Sequence, residues 1–172
     1  MTKHPETHKA MIMDACVLID FLKADRSILQ LVVKHVGPLH VASPVLDEVN
    51  EIEDEHEIVD LGLVIFEPEI EDAYTAAGQT GPTSFQDRLC LLAAKRYGFS
   101  CVTNDKNLRT LCKKEKVPLL WGLQLLAELH RSGGLPADDA INIAGKIHQA
   151  NPKHITPKIL TRFTHLIKKK ID

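Results

Sequence analysis

The stretch of sequence that decides the fold is Met11-Ile12-Met13-Asp14-Ala15-Cys16-Val17-Leu18-Ile19-Asp20. Its three leading apolar residues predict a short buried strand, and the apolar residues from position 17 onward predict a helix directly after it. Asp14 stands at the junction between the two. Comparable junctions follow at residues 39–48 and 99–108. Strands that alternate with helices in this way predict an α/β fold, in which a parallel sheet of four to five strands lies between two helical layers.

Apolar runs bounded by turn residues predict the remaining strands at 39–42, 63–66, 99–103 and 117–121. Ser43 and Pro44 predict a helix start, because serine caps helices and proline suits the first helical position. Apolar residues at positions 45, 46, 49 and 52 extend this helix, and we expect the acidic run 51–57 to continue it into solvent. Further helices are predicted at 70–79, 84–97, 106–116 and 123–130.

The last forty residues are predicted to be helical. One helix is expected at 136–150, and Thr156-Pro157 predicts the start of another. The second helix places five apolar residues on one face: Ile159, Leu160, Phe163, Leu166 and Ile167. We expect this helical hairpin to pack on the rest of the chain; the alternative is a groove for a partner, with Lys168-Lys169-Lys170 at its rim. The chain thus divides into a flexible tail (1–10), an α/β domain (11–132) and a helical extension (133–172).

Composition narrows the function classes. The 172 residues are 44% hydrophobic and 26% charged, which suits a compact domain with a small appendage. No apolar run approaches the roughly 20 residues of a membrane span, so we expect a cytoplasmic protein with no membrane contact. The four cysteines form no C-x-x-C pair, which favours buried thiols over a zinc or redox site. The sequence contains neither of the glycine-rich phosphate motifs, G-x-x-x-x-G-K and G-x-G-x-x-G, so it gives no support to a nucleotide-binding fold.

Carboxylates mark four of the predicted junctions between strands and helices. They are Asp14, Glu48, Asp87 and Asp105. The carboxyl ends of parallel strands meet at one edge of a sheet, so we expect these acids to share one crevice. Four carboxylates would repel one another unless a cation held them, and oxygen ligands suit Mg²⁺ or Mn²⁺. Each acid also has a structural explanation as a helix cap or turn residue, but capping alone poorly explains four acids at one edge.

Four segments resemble, in order, the motifs of PIN-domain nucleases. The segments are 13–20, 43–49, 84–95 and 102–108, and the likeness extends over residues 11–129. The resemblance implies a PIN-like fold in which Asp14, Glu48, Asp87 and Asp105 form the catalytic metal site, with Ser84 and Thr103 in support. Two positions depart from the family pattern. Cys16 replaces a small polar residue and removes a strong polar neighbour of the first acid, and Asn107 replaces a carboxylate close after the fourth.

The resemblance implies that the chain is an endoribonuclease that hydrolyses RNA phosphodiester bonds with Mg²⁺ or Mn²⁺. Arg88, Lys106 and Arg109 flank the third and fourth acids, so they are candidate RNA contacts, although exposed helix cations would produce the same pattern. Small bacterial members of the family are often toxins of VapBC-type pairs, which adds an antitoxin and a homodimer as candidate partners. The alternative is a catalytically silent PIN-like scaffold that binds RNA or a protein.

Overall fold

A five-stranded parallel sheet forms the centre of the protein, for which a computed structural model describes residues 10–169. The strands are β1 (Met11–Met13), β2 (Leu39–Ala42), β3 (Val64–Phe66), β4 (Ser100–Val102) and β5 (Leu119–Leu120). Their order across the sheet is β3-β2-β1-β4-β5, and every pair of neighbours is parallel. The predicted α/β class and the predicted number of strands are therefore confirmed.

Ten helices surround this sheet within the described residues. They are α1 (Ala15–Ala24), α2 (Ser27–His35), α3 (Ser43–Leu46), α4 (Glu55–Asp60), α5 (Ile70–Gly78), α6 (Phe85–Tyr97), α7 (Lys106–Lys114), α8 (Gly122–Arg131), α9 (Ala137–Ala150) and α10 (Pro157–Lys168). Helix α6 packs on β1, β2 and β4 and lies between α5 and α7. A second group joins α1 to α9, α2 to α8, and α8 to α9 and α10. These two groups are compatible with a three-layer α/β/α arrangement.

The core is continuous from the central strand to the last two helices. All three residues of β1 are buried, and so are Ile147 of α9 and Phe163 of α10. Full burial of one such side chain stabilises the fold by about 1.5–3 kcal/mol relative to its exposure in water. Helices α9 and α10 therefore contribute to the same apolar interior as the sheet.

The predicted long helix from Ser43 through the acidic run is wrong. Helix α3 ends at Leu46, turns follow, and α4 begins only at Glu55. The Glu51 carbonyl oxygen accepts a hydrogen bond from Arg26 Nη2 at 2.9 Å, whereas a continuous helix would bond it to residue 55. Asp54 then caps α4 by accepting from the backbone N–H of Glu57 at 3.0 Å.

Helix α10 buries fewer apolar residues than its sequence predicts. Phe163 and Ile167 are buried, but Leu166 is 59% exposed, so its assignment to the buried face is wrong. Helix positions turn by about 100° per residue, which leaves Leu166 at the margin of the face centred on Phe163 and Ile167. Residues 1–9 of the predicted tail, and Lys170 of the predicted lysine rim, lie outside the described residues. Over residues 10–169, no helix has both the length and the apolar character needed to span a bilayer.

Candidate active site

The candidate site lies where the sheet changes its winding direction. The chain leaves β1 towards β2, whereas it leaves β4 towards β5 on the other side. The carboxyl ends of β1 and β4 are adjacent, and such switch points form the ligand crevices of open α/β sheets. Asp14 directly follows β1, and Asp105 comes three residues after β4. The sheet topology thus brings the first and fourth predicted acids to one edge.

Asp14 is the most deeply buried of the four acids, with 3% of its surface exposed. Its carboxylate caps α1 by accepting from the Val17 backbone N–H at 3.1 Å, and it accepts a hydrogen bond from the Thr103 hydroxyl. Burial raises its pKa to about 6, although the bonds from Thr103, Val17 and Cys16 oppose that rise. The negative charge of Asp87 adds to the increase in pKa.

Cys16 contacts the carboxylate of Asp14 directly. Its Sγ lies 3.1 Å from Oδ1 and 3.2 Å from Oδ2 of Asp14. Burial, and then the charge of Asp14, raise the pKa of the thiol, so it stays protonated and donates a hydrogen bond. Cys16 thus gives Asp14 a weak donor in place of the strong polar neighbour that the family pattern has at this position.

Asp87 is held by the first turn of α6. Its backbone N–H donates to Ser84 Oγ at 3.1 Å, and its Oδ2 accepts from the Ser84 N–H at 3.4 Å, which is the predicted capping box. Its Oδ1 has no hydrogen-bond partner among residues 10–169. Burial raises the pKa of Asp87, and the nearby charge of Asp105 adds to that rise.

Asp105 caps α7 with one carboxylate oxygen, Oδ1, which accepts from the Leu108 backbone N–H at 2.8 Å. Its other oxygen makes no hydrogen bond within the described part of the chain. The Asp105 backbone N–H donates to the Thr103 hydroxyl oxygen at 3.0 Å. Because the same hydroxyl donates to Asp14, the fully buried Thr103 connects the first and fourth acids.

Glu48 lies in the turn after α3 rather than in the predicted helix. It is exposed, and its carboxylate has no hydrogen-bond partner within the span 10–169. Partial burial and then the charge of Asp87 raise its pKa above the usual value. Glu48 is thus placed within electrostatic range of Asp87.

Asp87 is the electrostatic centre of the acidic group, defined here as Asp14, Glu48, Asp87 and Asp105. Its charge raises the pKa of both Asp14 and Glu48, and the charge of Asp105 raises its own. The donor set is entirely oxygen, which fits Mg²⁺ or Mn²⁺. The spacing is more open than a closed metal shell: among the described residues, no three His, Cys, Asp or Glu side chains stand close enough to hold one ion together.

The three predicted RNA-contacting cations differ sharply in their surroundings. Lys106 is exposed, and Arg109 is half-buried. Arg88 is 8% exposed and donates to the backbone oxygens of Ala76 at 3.1 Å, Gly81 at 3.3 Å and Gln79. The guanidinium of Arg88 therefore binds the end of α5 and the loop before α6, which makes Arg88 a weaker candidate for RNA contact than Lys106 or Arg109.

The sequence analysis did not predict a buried polar group that lies next to the acidic residues. Asn104 Oδ1 accepts from the Gly122 backbone N–H at 3.0 Å, and its Nδ2 lies 3.5 Å from Asp20 Oδ2. Asp20 also accepts from Asn151 at 3.4 Å, which connects α1 to the end of α9. The available signal was position alone, because Asn104 stands between Thr103 and Asp105 and Asp20 ends the first motif.

No protein-family model matches this chain, and a search of curated proteins found no match either. The resemblance to PIN-domain nucleases therefore rests on the four sequence segments and their order alone.

Proposed function

We propose that this protein is a Mg²⁺- or Mn²⁺-dependent endoribonuclease with a PIN-like fold. The observation that carries the proposal is the acidic group at the switch point of the sheet. Its members come from four separate segments of the chain, and burial, followed by the charge of a neighbouring acid, raises the pKa of Asp14, Glu48 and Asp87. Asp87 and Asp105 each commit one oxygen to a helix cap and leave the other without a partner among residues 10–169.

Capping alone poorly explains this arrangement. A pKa of about 6 for Asp14, against an ordinary value of 3.8, corresponds to roughly 3 kcal/mol of disfavoured ionisation. Serine or asparagine would cap α1 equally well without burying a charge. A bound cation would remove this electrostatic cost, so the acids make more sense as ligands than as caps.

The chemistry follows from the position of each residue. Bound Mg²⁺ or Mn²⁺ would lower the pKa of an attacking water and offset the negative charge on the scissile phosphate. Asp14, Glu48, Asp87 and Asp105 would hold the ion, and Thr103, Cys16 and Ser84 fix the orientation of the aspartates. Glu48 is exposed with both oxygens uncommitted in the described structure, so it is best placed to accept the proton of the attacking water.

The test uses the full chain and an RNA that carries a fluorophore and a quencher. We expect cleavage with Mg²⁺ or Mn²⁺ and none in excess EDTA, and we expect the cation to raise the melting temperature by mass action. Asp14→Asn and Asp87→Asn should abolish cleavage and weaken that thermal response. Asp138→Asn, on the exposed side of α9, is the matched control. Cleavage that survives in EDTA or in Asp14→Asn would overturn the proposal.

The silent scaffold is the second candidate, and its response to divalent cations distinguishes it from the nuclease. A scaffold would bind RNA or protein with no response of its melting temperature to divalent cations. Binding of Mn²⁺, followed by electron paramagnetic resonance in wild type and Asp14→Asn, separates the two functions. Specific binding lost in the variant supports the nuclease, whereas no specific binding in wild type supports the scaffold.

The toxin hypothesis extends the nuclease proposal to a biological role. Induced expression in bacteria would arrest growth with the wild-type chain and spare growth with Asp14→Asn. An antitoxin would restore growth in the wild type, and light scattering would determine whether the purified chain is a homodimer. Growth arrest by both chains would contradict a role that depends on cleavage.

A further inference from the structure

A tryptophan and an arginine are stacked beside the acidic group. The guanidinium carbon of Arg109 lies 3.7 Å from the centroid of the Trp121 ring, well within the range of a cation–π interaction. Arg109 Nε also donates to the Asn104 carbonyl oxygen at 3.3 Å. The two terminal nitrogens of the guanidinium make no hydrogen bond or ion pair with any residue from 10 to 169. The group is thus held on one side and free on the other.

The same strand ends that position the acids also position this pair. Trp121 directly follows β5 and caps α8, and β5 pairs with β4. Arg109 lies one turn into α7, where its backbone N–H donates to the Asp105 carbonyl oxygen at 3.0 Å. The pair therefore stands at the carboxyl edge of the sheet, next to the fourth acid.

A guanidinium whose terminal nitrogens have no partner among residues 10–169 can offset the negative charge of the acidic group. The acidic group repels the phosphates of an approaching RNA, so binding needs a positive charge close by. A guanidinium presents a planar fork of donors that matches two phosphate oxygens, and stacking on an aromatic ring holds that fork in one plane. Lys106 is closer to Asp105 in sequence, but it is exposed and makes no comparable stacking contact among the described residues.

We infer that Arg109 binds a backbone phosphate of single-stranded RNA beside the acidic group, and that Trp121 is the positioning residue that holds it. The inference rests on the proposed ribonuclease function. It assigns the two faces of the guanidinium different tasks: one face packs on the indole and the free edge meets the phosphate. Recognition of a phosphate carries no base specificity, so the pair fixes the path of the strand rather than its sequence.

Trp121 is the only tryptophan of the chain, so its fluorescence reports on this site alone. The probe is a twelve-nucleotide uridine RNA, added to the full chain in EDTA so that no divalent ion supports cleavage. We expect the RNA to change the tryptophan emission of wild type and to change it far less in Arg109→Gln. Anisotropy of a labelled copy of the same RNA gives the affinity independently of the indole.

Salt dependence identifies the phosphate contact. Arg109→Gln should weaken binding about tenfold at low salt and reduce the slope of log K against log salt by about 0.7, the value for one phosphate of a single strand. Lys113→Gln, an exposed position four residues later on α7, is the matched control for loss of one charge. It should keep the slope within about 0.2 of wild type, because a distant cation acts only through the general field.

Trp121 is tested through steady-state cleavage with Mn²⁺. Trp121→Leu should raise KM several-fold with little change in kcat, and Trp121→Phe should restore most of the loss, because phenylalanine keeps a stacking face. A merely structural tryptophan would lower kcat, KM and the melting temperature without rescue by phenylalanine, and that result would overturn its positioning role.

The outcomes separate this inference from the proposed function. Metal-dependent cleavage with unchanged salt slope in Arg109→Gln overturns the inference and leaves the nuclease standing. Binding that depends on Arg109 without any cleavage overturns the nuclease and keeps the phosphate contact. Equal losses in Arg109→Gln and Lys113→Gln, or no measurable binding by wild type in either condition, overturn the inference.

Discussion

The Thr103 hydroxyl donates a hydrogen bond to the carboxylate of Asp14, which joins the end of β4 to the end of β1. Both side chains are buried, and the same hydroxyl accepts the backbone N–H of Asp105 at 3.0 Å. One threonine therefore sets the distance between two acids that are ninety-one residues apart in the chain. We expect the proposed metal site to depend on this contact.

Thr103→Val should damage the site while keeping the side-chain shape. The valine leaves Asp14 and the Asp105 N–H without their shared partner, and loss of a buried hydrogen bond costs about 1–3 kcal/mol. Urea denaturation in EDTA measures the stability loss, and cleavage with Mn²⁺ should fall by tenfold or more. Thr110→Val is the control, since Thr110 is exposed and donates only to the Lys106 carbonyl within its own helix. Equal stability of the two variants would contradict the role of Thr103.

Cys16→Ser should keep the fold and keep or increase activity. The serine hydroxyl is a stronger donor than the thiol, so it should orient the Asp14 carboxylate at least as well. Because its pKa is raised, the wild-type thiol should react slowly with iodoacetamide at neutral pH. Cys112→Ser is the contrast, because a hydroxyl in the buried interior of α7 should lower stability by about 1–3 kcal/mol. Rapid alkylation of Cys16, together with an inactive Cys16→Ser, would show a direct role for the thiol.

Arg88→Met should destabilise the loop at residues 79–83 and make it more mobile. The methionine fills the space but leaves the carbonyl groups of Ala76, Gln79 and Gly81 without their donor. We expect a loss of about 2–4 kcal/mol in the free energy of unfolding and faster amide exchange in the loop. Arg96→Met, which removes an exposed ion pair with Asp72, should cost clearly less. A wild-type stability in Arg88→Met would show that the loop does not need the guanidinium.

Asp20 should make stability depend on pH. Burial raises its pKa above the ordinary value of 3.8, although bonds from Asn151 and Asn104 oppose the rise. The folded chain therefore holds the Asp20 proton more tightly than the unfolded chain. The stabilisation that results is complete below about pH 4 and is lost as pH rises through the raised pKa. The free energy of unfolding of wild type minus that of Asp20→Asn should thus fall between pH 4 and pH 7.5.

Urea denaturation at several pH values in that interval measures the difference. Asp138→Asn, on the exposed side of α9, controls for the change in net charge. A difference that stays constant or grows with pH would contradict the predicted sign for Asp20.

Gly134→Ala should test the connection into α9. A Cβ atom there would lie 2.5 Å from Leu129 Cδ1 and 2.8 Å from His35 Cγ, so both side chains must shift. We expect a loss of about 1–3 kcal/mol from overpacking. Gly145→Ala is the matched control with the opposite sign: its Cβ meets nothing within 4 Å, and alanine favours the helix by about 1 kcal/mol. Two stabilised variants would show that the packing at Gly134 is looser than these distances.

The sequence correctly predicted those helix starts that are determined by residues only a few positions apart. The Ser84 capping box and the Thr156-Pro157 helix start are both observed, because each needs only residues three positions apart. The parallel sheet also followed from the alternation of strands and helices, but the order of its strands did not. The positions of Asp14 and Asp105 at strand–helix junctions were readable for the same reason, whereas Asp87 lies in α6, which follows α5, and Glu48 lies in the turn after α3.

The features that the sequence did not predict depend on contacts between segments that are distant in the chain. Between α3 and α4, Arg26 binds the carbonyl group of Glu51, twenty-five residues away, which a continuous helix would have used within itself. The burial of Arg88 depends on the path of the preceding loop, and a charged residue next to a candidate acid gives no sign of that path. The stacking of Arg109 on Trp121 joins two helices through a strand between them. Residue type and spacing carry no information about such pairings.

The loop at residues 79–83 is largely exposed and contains a Gly-Pro pair, which are the usual features of a site that tolerates an inserted tag or new chain termini. The hydrogen bonds from Arg88 to the carbonyl groups of Gln79 and Gly81 argue against an insertion in this loop. An added residue would move these two carbonyl groups out of the plane of the guanidinium. The buried charge of Arg88 would then lose hydrogen-bond acceptors.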